Sequence, residues 1–135
     1  MSKIFLDTSF LVAFHNKRDK DHFRARRFIS EIKEDDIFII SDYIFDEFLT
    51  ALLVRGGKSL SIEAGRKILE DKRIYLLKID EEVFQKAWLV YHSFKDKKWS
   101  FTDCTSYVLM KNLSTNIGAS FDDHFNQFGF VTVPK

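Results

Sequence analysis

The chain is poor in the residues that punctuate or cross-link a protein: one cysteine, one proline and five glycines in 135 positions. The lone Cys104 excludes an intrachain disulfide, and the scarcity of proline and glycine excludes a long flexible linker. No basic stretch followed by an apolar run opens the sequence, and no apolar run reaches the roughly 20 residues that a membrane helix needs. A protein of the reducing cytoplasm, without a membrane segment, is expected. Internal repeats and low-complexity tracts are absent. There is no excess of positive charge either: 21 Lys and Arg face 20 Asp and Glu, for a net charge of +1. That balance argues against a protein that holds nucleic acid by bulk charge alone, although divalent ions on some of the acids would make the loaded face more positive.

What the chain does have is apolar bulk. Hydrophobic residues make up 45% of it and fifteen residues are phenylalanine, enough for one core rich in large rings and for one domain over residues 1–135. A short apolar run, 4–6, ends at Asp7, and Phe10, Leu11 and Phe14 then follow at helical spacing. Residues 21–33 read as a surface helix with one apolar stripe, and 37–40 as a buried strand. A helix over 42–55 ends at Gly56-Gly57, where glycine supplies the backbone freedom of a C-cap, and a further helix covers 59–71. The third strand is 74–79. A helix over 81–94 points Val83, Phe84, Ala87, Trp88 and Tyr91 at the core. After a lysine-rich loop come a helix over 102–113, a strand over 117–121 and a short strand over 130–133. Alternating strands and helices predict an α/β chain: a three-layer α/β/α sandwich on a mainly parallel, roughly five-stranded sheet, with ligands at the carboxyl ends of the strands.

Four acidic residues fall where a strand ends or a helix begins: Asp7, Glu47, Asp103 and Asp122. Each has a purely structural explanation. Asp7 is a good N-cap for the helix that follows it. Glu47 lies on a helix with little fully polar surface, so a lysine or arginine partner is one solution and a metal ion another. In Ser100-Phe101-Thr102-Asp103 the spacing matches a capping box, and Asp122 suits the cap of a short turn. Asp42 and Asp46 read as first-turn acids at the positive end of a helix dipole. Together, however, the four point to one sheet edge, flanked by the hydroxyls of Thr8, Ser9 and Thr102. Clustered carboxylates raise one another's proton affinity unless cations neutralise them, and oxygen donors suit hard divalent ions used in phosphate chemistry.

In order and spacing, Phe5-Leu6-Asp7-Thr8-Ser9, Ser41-Asp42-Tyr43-Ile44-Phe45-Asp46-Glu47, Ser100-Phe101-Thr102-Asp103 and Ser120-Phe121-Asp122-Asp123-His124-Phe125 resemble the PIN domain, and within it the small VapC-like toxin ribonucleases. The resemblance runs from Ile4 to Val133. It implies a metal-dependent endoribonuclease in which Asp7, Glu47, Asp103 and Asp122 hold Mg²⁺ or Mn²⁺, with Thr8, Ser9, Thr102 and Asp123 in support. Asp123 competes with Asp122 as the last ligand; the family's order of Asp, any residue, His, Phe favours Asp122. The resemblance also implies an RNA substrate, an antitoxin protein seated near Arg55-Gly56-Gly57-Lys58, and a homodimer. Lys17, Arg18, Lys20, Arg24, Arg26 and Arg27, with Lys95, Lys97 and Lys98, form two basic runs suited to RNA phosphates, or to nothing more than a solvated surface. His15, His22 and His92 lack ligand spacing, and Trp99 is read as core, with stacking on a base as the alternative. Three other functions stay open: an RNA-processing nuclease that is not a toxin; a haloacid dehalogenase-like phosphatase with Asp7 as nucleophile, whose usual second aspartate is here Ser9; and a PIN-like scaffold that holds RNA or protein without cutting, against which the intact acids argue.

Overall fold

Two runs without a polar side chain, Ile4-Phe5-Leu6 and Phe38-Ile39-Ile40, are buried throughout and form the middle of a sheet covered on both faces. In the computed structural model, which describes residues 1–135, the strands are β1 (Lys3–Leu6), β2 (Ile37–Ser41), β3 (Ile74–Leu77), β4 (Ile117–Ala119) and β5 (Val131–Val133). Every neighbouring pair is parallel, in the order β3-β2-β1-β4-β5. The chain steps one way from β1 to β3, then returns to the far side of β1 for β4 and β5. This reversal sets a topological switch between β1 and β4, with Asp7 just past one strand and Ser120 just past the other.

The helices follow from the same pattern: α1 (Thr8–His15), α2 (His22–Glu31), α3 (Asp42–Gly56), α4 (Lys58–Glu70), α5 (Glu81–Ser93), α6 (Phe101–Asn112) and the short α7 (His124–Gln127). Because parallel crossovers are right-handed, α1 to α4 cover one face and α5 to α7 the other. Side chains agree: Leu6 borders the same recess as Phe10 of α1 and Ile68 of α4, whereas Phe5 meets the ring of Phe125 in α7. Ser41 caps α3 through its hydroxyl, and Gly57 closes that helix at φ +94°. Asp42 is more than a first-turn acid, since its Oδ1 accepts the Ile79 amide at 2.9 Å and ties α3 to the segment after β3. No helix is long and apolar enough to cross a membrane.

Two expectations are corrected. The fourth strand stops at Ala119, not Phe121, because the Phe121 and Asp122 amides turn toward the hydroxyls of Ser9 and Ser120. On α5 only Val83 and Ala87 are buried; Phe84, Trp88 and Tyr91 are 40%, 50% and 45% exposed. The helix rests on α6 through a small second core of Val83, Ala87, Trp99, Cys104 and Val108, and Phe84, Trp88 and Tyr91 stay outside it.

Candidate active site

The strand ends and helix starts at the carboxyl edge surround one open cleft of about 410 Å³, lined among others by Asp7, Glu47, Asp103 and Asp122. Asp7 holds the N-cap position of α1 with extended backbone, yet its side chain makes no capping hydrogen bond. It is instead buried, at 2% exposure, and its Oδ2 accepts from the hydroxyls of Ser9 at 3.0 Å and Ser120 at 2.8 Å. Each hydroxyl in turn accepts a backbone amide, Ser9 from Phe121 and Ser120 from Asp122. Asp7 is thereby fixed to the loop after β4. The structural explanation of Asp7 as a cap is set aside by these contacts.

Asp103 does complete the capping box with Ser100 in both directions. The same side chain also borders the cleft: its Oδ2 takes the Ser100 amide at 2.9 Å and lies 2.6 Å from Nδ1 of His124. Asp122 accepts the His124 amide through Oδ1 at 3.0 Å, the turn cap expected of it, and still faces the cleft. Glu47 finds neither lysine nor arginine. Its Oε1 accepts from the Thr8 hydroxyl at 2.5 Å.

A common arrangement emerges. Each carboxylate has one oxygen engaged by the protein, whereas Oδ1 of Asp7, Oε2 of Glu47, Oδ1 of Asp103 and Oδ2 of Asp122 accept from no N–H or O–H group. Electrostatics follows from this crowding. Burial raises Asp7 well above the usual carboxylate range, and the charges of Asp122 and Asp103 push it further against the lowering effect of Ser120. Burial likewise raises Glu47, with the Thr8 hydrogen bond opposing and Asp103, Asp122 and Asp46 adding to it. Asp103 is raised by burial, opposed by the Ser100 amide and His124. The cleft thus concentrates negative charge that the protein leaves largely uncompensated.

Such a donor set, four carboxylates each with an oxygen to spare, fits a hard divalent cation. The acids ring the cleft without three of them closing on one point.

The hydroxyl-bearing and basic neighbours divide. Thr8 and Ser9 line the cleft, whereas Thr102 does not and Asp123 turns away, pairing with Asn126 and Gln127. Ser100 and Ser120 are the residues that sequence reasoning left without a site role, and His124, expected to position the Asp122 turn, also pairs with Asp103. Ser120 had a readable signal: β1 and β4 are neighbours, and the Asp7 amide bonds to the Ala119 carbonyl at 3.0 Å, so the next residue after Ala119 must stand beside Asp7. Of the basic runs, Lys20 and Lys98 reach the cleft, joined by Arg55. Arg24 pairs with Asp21 and covers the Phe121 ring, Arg26 covers Phe14, and Arg27 pairs with Glu31. Trp99 is core, its indole N–H donating to Gln127.

Residues 4–131 match the family model described as PIN domain. The chain is 30% identical over 131 residues to the 23S rRNA-specific endonuclease VapC20 of Mycobacterium tuberculosis, covering 96% of this chain and 97% of the relative. It is similar to the crystal structure of Mycobacterium tuberculosis VapC20, described as a sarcin-ricin loop cleaving toxin, with a TM-score of 0.91, 26% identity and coverage of 98% and 99%. VapBC2 from Rickettsia felis, solved on a DNA fragment from its promoter, shares the fold at a TM-score of 0.70 and 10% identity, over 97% of each chain.

Proposed function

The chain belongs to the PIN domain family, and from that premise we propose that it is an Mg²⁺- or Mn²⁺-dependent endoribonuclease, the toxin of a type II toxin–antitoxin pair. The observation that carries the metal dependence is the set of four carboxylates with one tethered and one untethered oxygen each around a single cleft. A protein that only needed caps would not bury Asp7 uncapping and unpaired, since an uncompensated buried carboxylate is destabilising.

In this reading Asp7, Glu47, Asp103 and Asp122 hold the ion. When bound, the ion would supply Lewis-acid chemistry, polarising water and screening the charge that grows on the phosphoryl and leaving oxygens. The protein's part is positional. Ser9 and Ser120 aim Asp7, the Ser100 amide and His124 aim Asp103, and Thr8 aims Glu47. Lys20, Arg55 and Lys98 on the cleft wall suit the flanking RNA phosphates. The likeness to a sarcin-ricin loop cleaving toxin along nearly the whole chain supports ribosomal RNA as the substrate to assay first. An antitoxin partner, a homodimer and a cytoplasmic location complete the reading. Phosphatase chemistry at Asp7 lacks support, because that carboxylate is buried and held by two serines.

The test is cleavage of a 23S rRNA stem-loop by the purified chain with Mg²⁺ or Mn²⁺, with and without EDTA. Cleavage leaving 5′-phosphate ends is expected, abolished by EDTA and by Asp7→Asn or Asp103→Asn with the circular dichroism spectrum unchanged. Full activity in both variants, or in EDTA, would overturn the mechanism. Growth arrest on expression, relieved by a small protein encoded beside it, separates a toxin from a processing nuclease.

A further inference from the structure

Several cations of this chain are committed to neighbours. Arg24, Arg27 and Lys86 pair with acids close by in sequence, and Arg26 and Arg73 cover aromatic rings. Lys17, Arg18 and Arg55 differ, for all three are exposed and none forms an ion pair. They come from distant parts of the sequence and converge. Asn16 is buried, and its Oδ1 accepts the Arg18 amide at 3.1 Å, which fixes the turn after α1 that carries Lys17 and Arg18. Arg55 stands in the last turn of α3. Together with Lys67 of α4 they line a recess of about 580 Å³ in which Glu63 is the one acid. Glu63 lies 3.8 Å from Lys67 in an exposed pair, a contact that carries little.

A neighbouring imidazole registers the positive field. His15 also borders the recess, and burial, with the charges of Lys67, Arg26 and His22, lowers it to about 4. Arg55 lines the acidic cleft as well, so recess and cleft are two parts of one surface that meet at this residue. We infer that Lys17, Arg18, Arg55 and Lys67 form a phosphate-binding track that holds the RNA strand next to the bond being cut. The inference rests on the RNA-cleaving reading above and adds to it the path by which the strand leaves the cleft.

Three observations favour a nucleic acid strand over a protein face. Leu60 is the only apolar residue at the recess, whereas a protein interface is built on desolvated apolar or aromatic anchors. A second copy docking through the same patch would set it against itself, because an isologous contact pairs identical surfaces and like charges would meet. A strand held in the cleft carries a phosphate at every nucleotide, so the phosphates beyond the cut need cations beside the cleft, and Arg55 leads directly to them.

The experiment measures kcat and KM on a 23S rRNA stem-loop, at fixed Mg²⁺ and rising KCl, for wild type, Lys17→Gln, Arg18→Gln, Arg18→Lys and Lys111→Gln, with light scattering at assay concentration. Lys111, at the end of α6, lines neither recess nor cleft and is the control. Lys17→Gln and Arg18→Gln should each raise KM about fivefold at low salt, the weight of one exposed charge contact. Their kcat should be unchanged, and the slope of log KM against log salt should be shallower by about 0.7–0.9. Arg18→Lys should keep the wild-type slope, and Lys111→Gln should match wild type throughout. Wild-type KM and slope in both glutamine variants, a change in KM without a change in slope, or equal losses in Lys111→Gln would overturn the track and leave the nuclease reading standing. A changed mass in Arg18→Gln would assign the patch to a second copy. Unchanged kinetics with lost binding of the small protein encoded beside the chain would assign it to that partner, and either result overturns the track. If wild type cut no RNA with Mg²⁺ or Mn²⁺, the nuclease reading itself would fail and take the track with it.

Discussion

Replacing Asp7 with Asn separates what this residue does for the reaction from what it does to the fold. Its carboxylate is buried, raised in pKa by desolvation and by Asp122 and Asp103, and balanced only by two serine hydroxyls. An asparagine carbonyl can take the place of Oδ2 and keep both hydroxyl contacts, while its amide presents N–H groups toward Asp122. Removing the charge therefore removes repulsion without leaving a donor or acceptor stranded. Single stabilising replacements commonly yield about 0.5–2 kcal/mol, and roughly 1 kcal/mol moves the melting midpoint of a chain this size by about 4 °C. In EDTA at neutral pH the variant should thus melt higher than wild type by a few degrees, and with Mg²⁺ the order should narrow or reverse, because only wild type gains from the ion. The pH dependence has a definite sign. Asp7 ionises at higher pH folded than unfolded, so its contribution to stability is present below about pH 4 and is lost as pH rises through the folded value; Asn should remove that decline. Calorimetry across pH 4–8 in EDTA measures this. A variant that melts lower than wild type at neutral pH without metal would refute the claim that the cleft stores electrostatic repulsion.

Two further outcomes test the frame that holds the cleft. Burial, with Lys67, Arg26 and His22 nearby, depresses His15 to about 4, so between pH 6.5 and 4 the unfolded chain binds the extra proton and stability is lost as pH falls; urea melts should show a loss of up to about 3 kcal/mol over that window, absent in His15→Gln. In Gly118→Ala the new Cβ would strike the ring of the fully buried Phe125, so a loss of about 1–3 kcal/mol in urea melts is expected, together with weakened RNA cleavage because α7 carries His124 beside Asp103.

Much of this was legible in the residues. The strand-helix alternation pointed to the parallel sheet, and the apolar runs of β1 and β2 fit the centre of it, because a strand covered on both faces reads as a near-continuous apolar run. The α5 stripe misled for a definite reason: periodicity says which side chains share a face and nothing about what covers it. Phe84, Trp88 and Tyr91 have the spacing of a core stripe, but α6 takes the adjacent face of Val83 and Ala87. Thr102 misled in a related way. It stands next to Asp103 in sequence, yet one residue along a helix turns the side chain by roughly 100°, and Ser100, three residues away, is the one that shares the cleft. Ser120 was readable only through a pairing between strands more than a hundred residues apart.

Capping and a free face toward the cleft, which the sequence posed as alternatives for each acid, are divided between the two oxygens of one carboxylate at Asp103 and Asp122. Asp103 caps α6 with Oδ2 and leaves Oδ1 without a donor; Asp122 caps its turn with Oδ1 and leaves Oδ2. A tethered oxygen restricts rotation of the group, so the other oxygen stays aimed, and the ordering entropy is met when the chain folds. Asp7 takes the argument furthest, because it stands where a cap belongs and its side chain caps no helix amide. A residue of the favoured capping type, buried at the N-cap, turns its side chain to Ser9 in the first turn of α1 and to Ser120 at the exit of β4, against the local preference of the helix for a capping side chain.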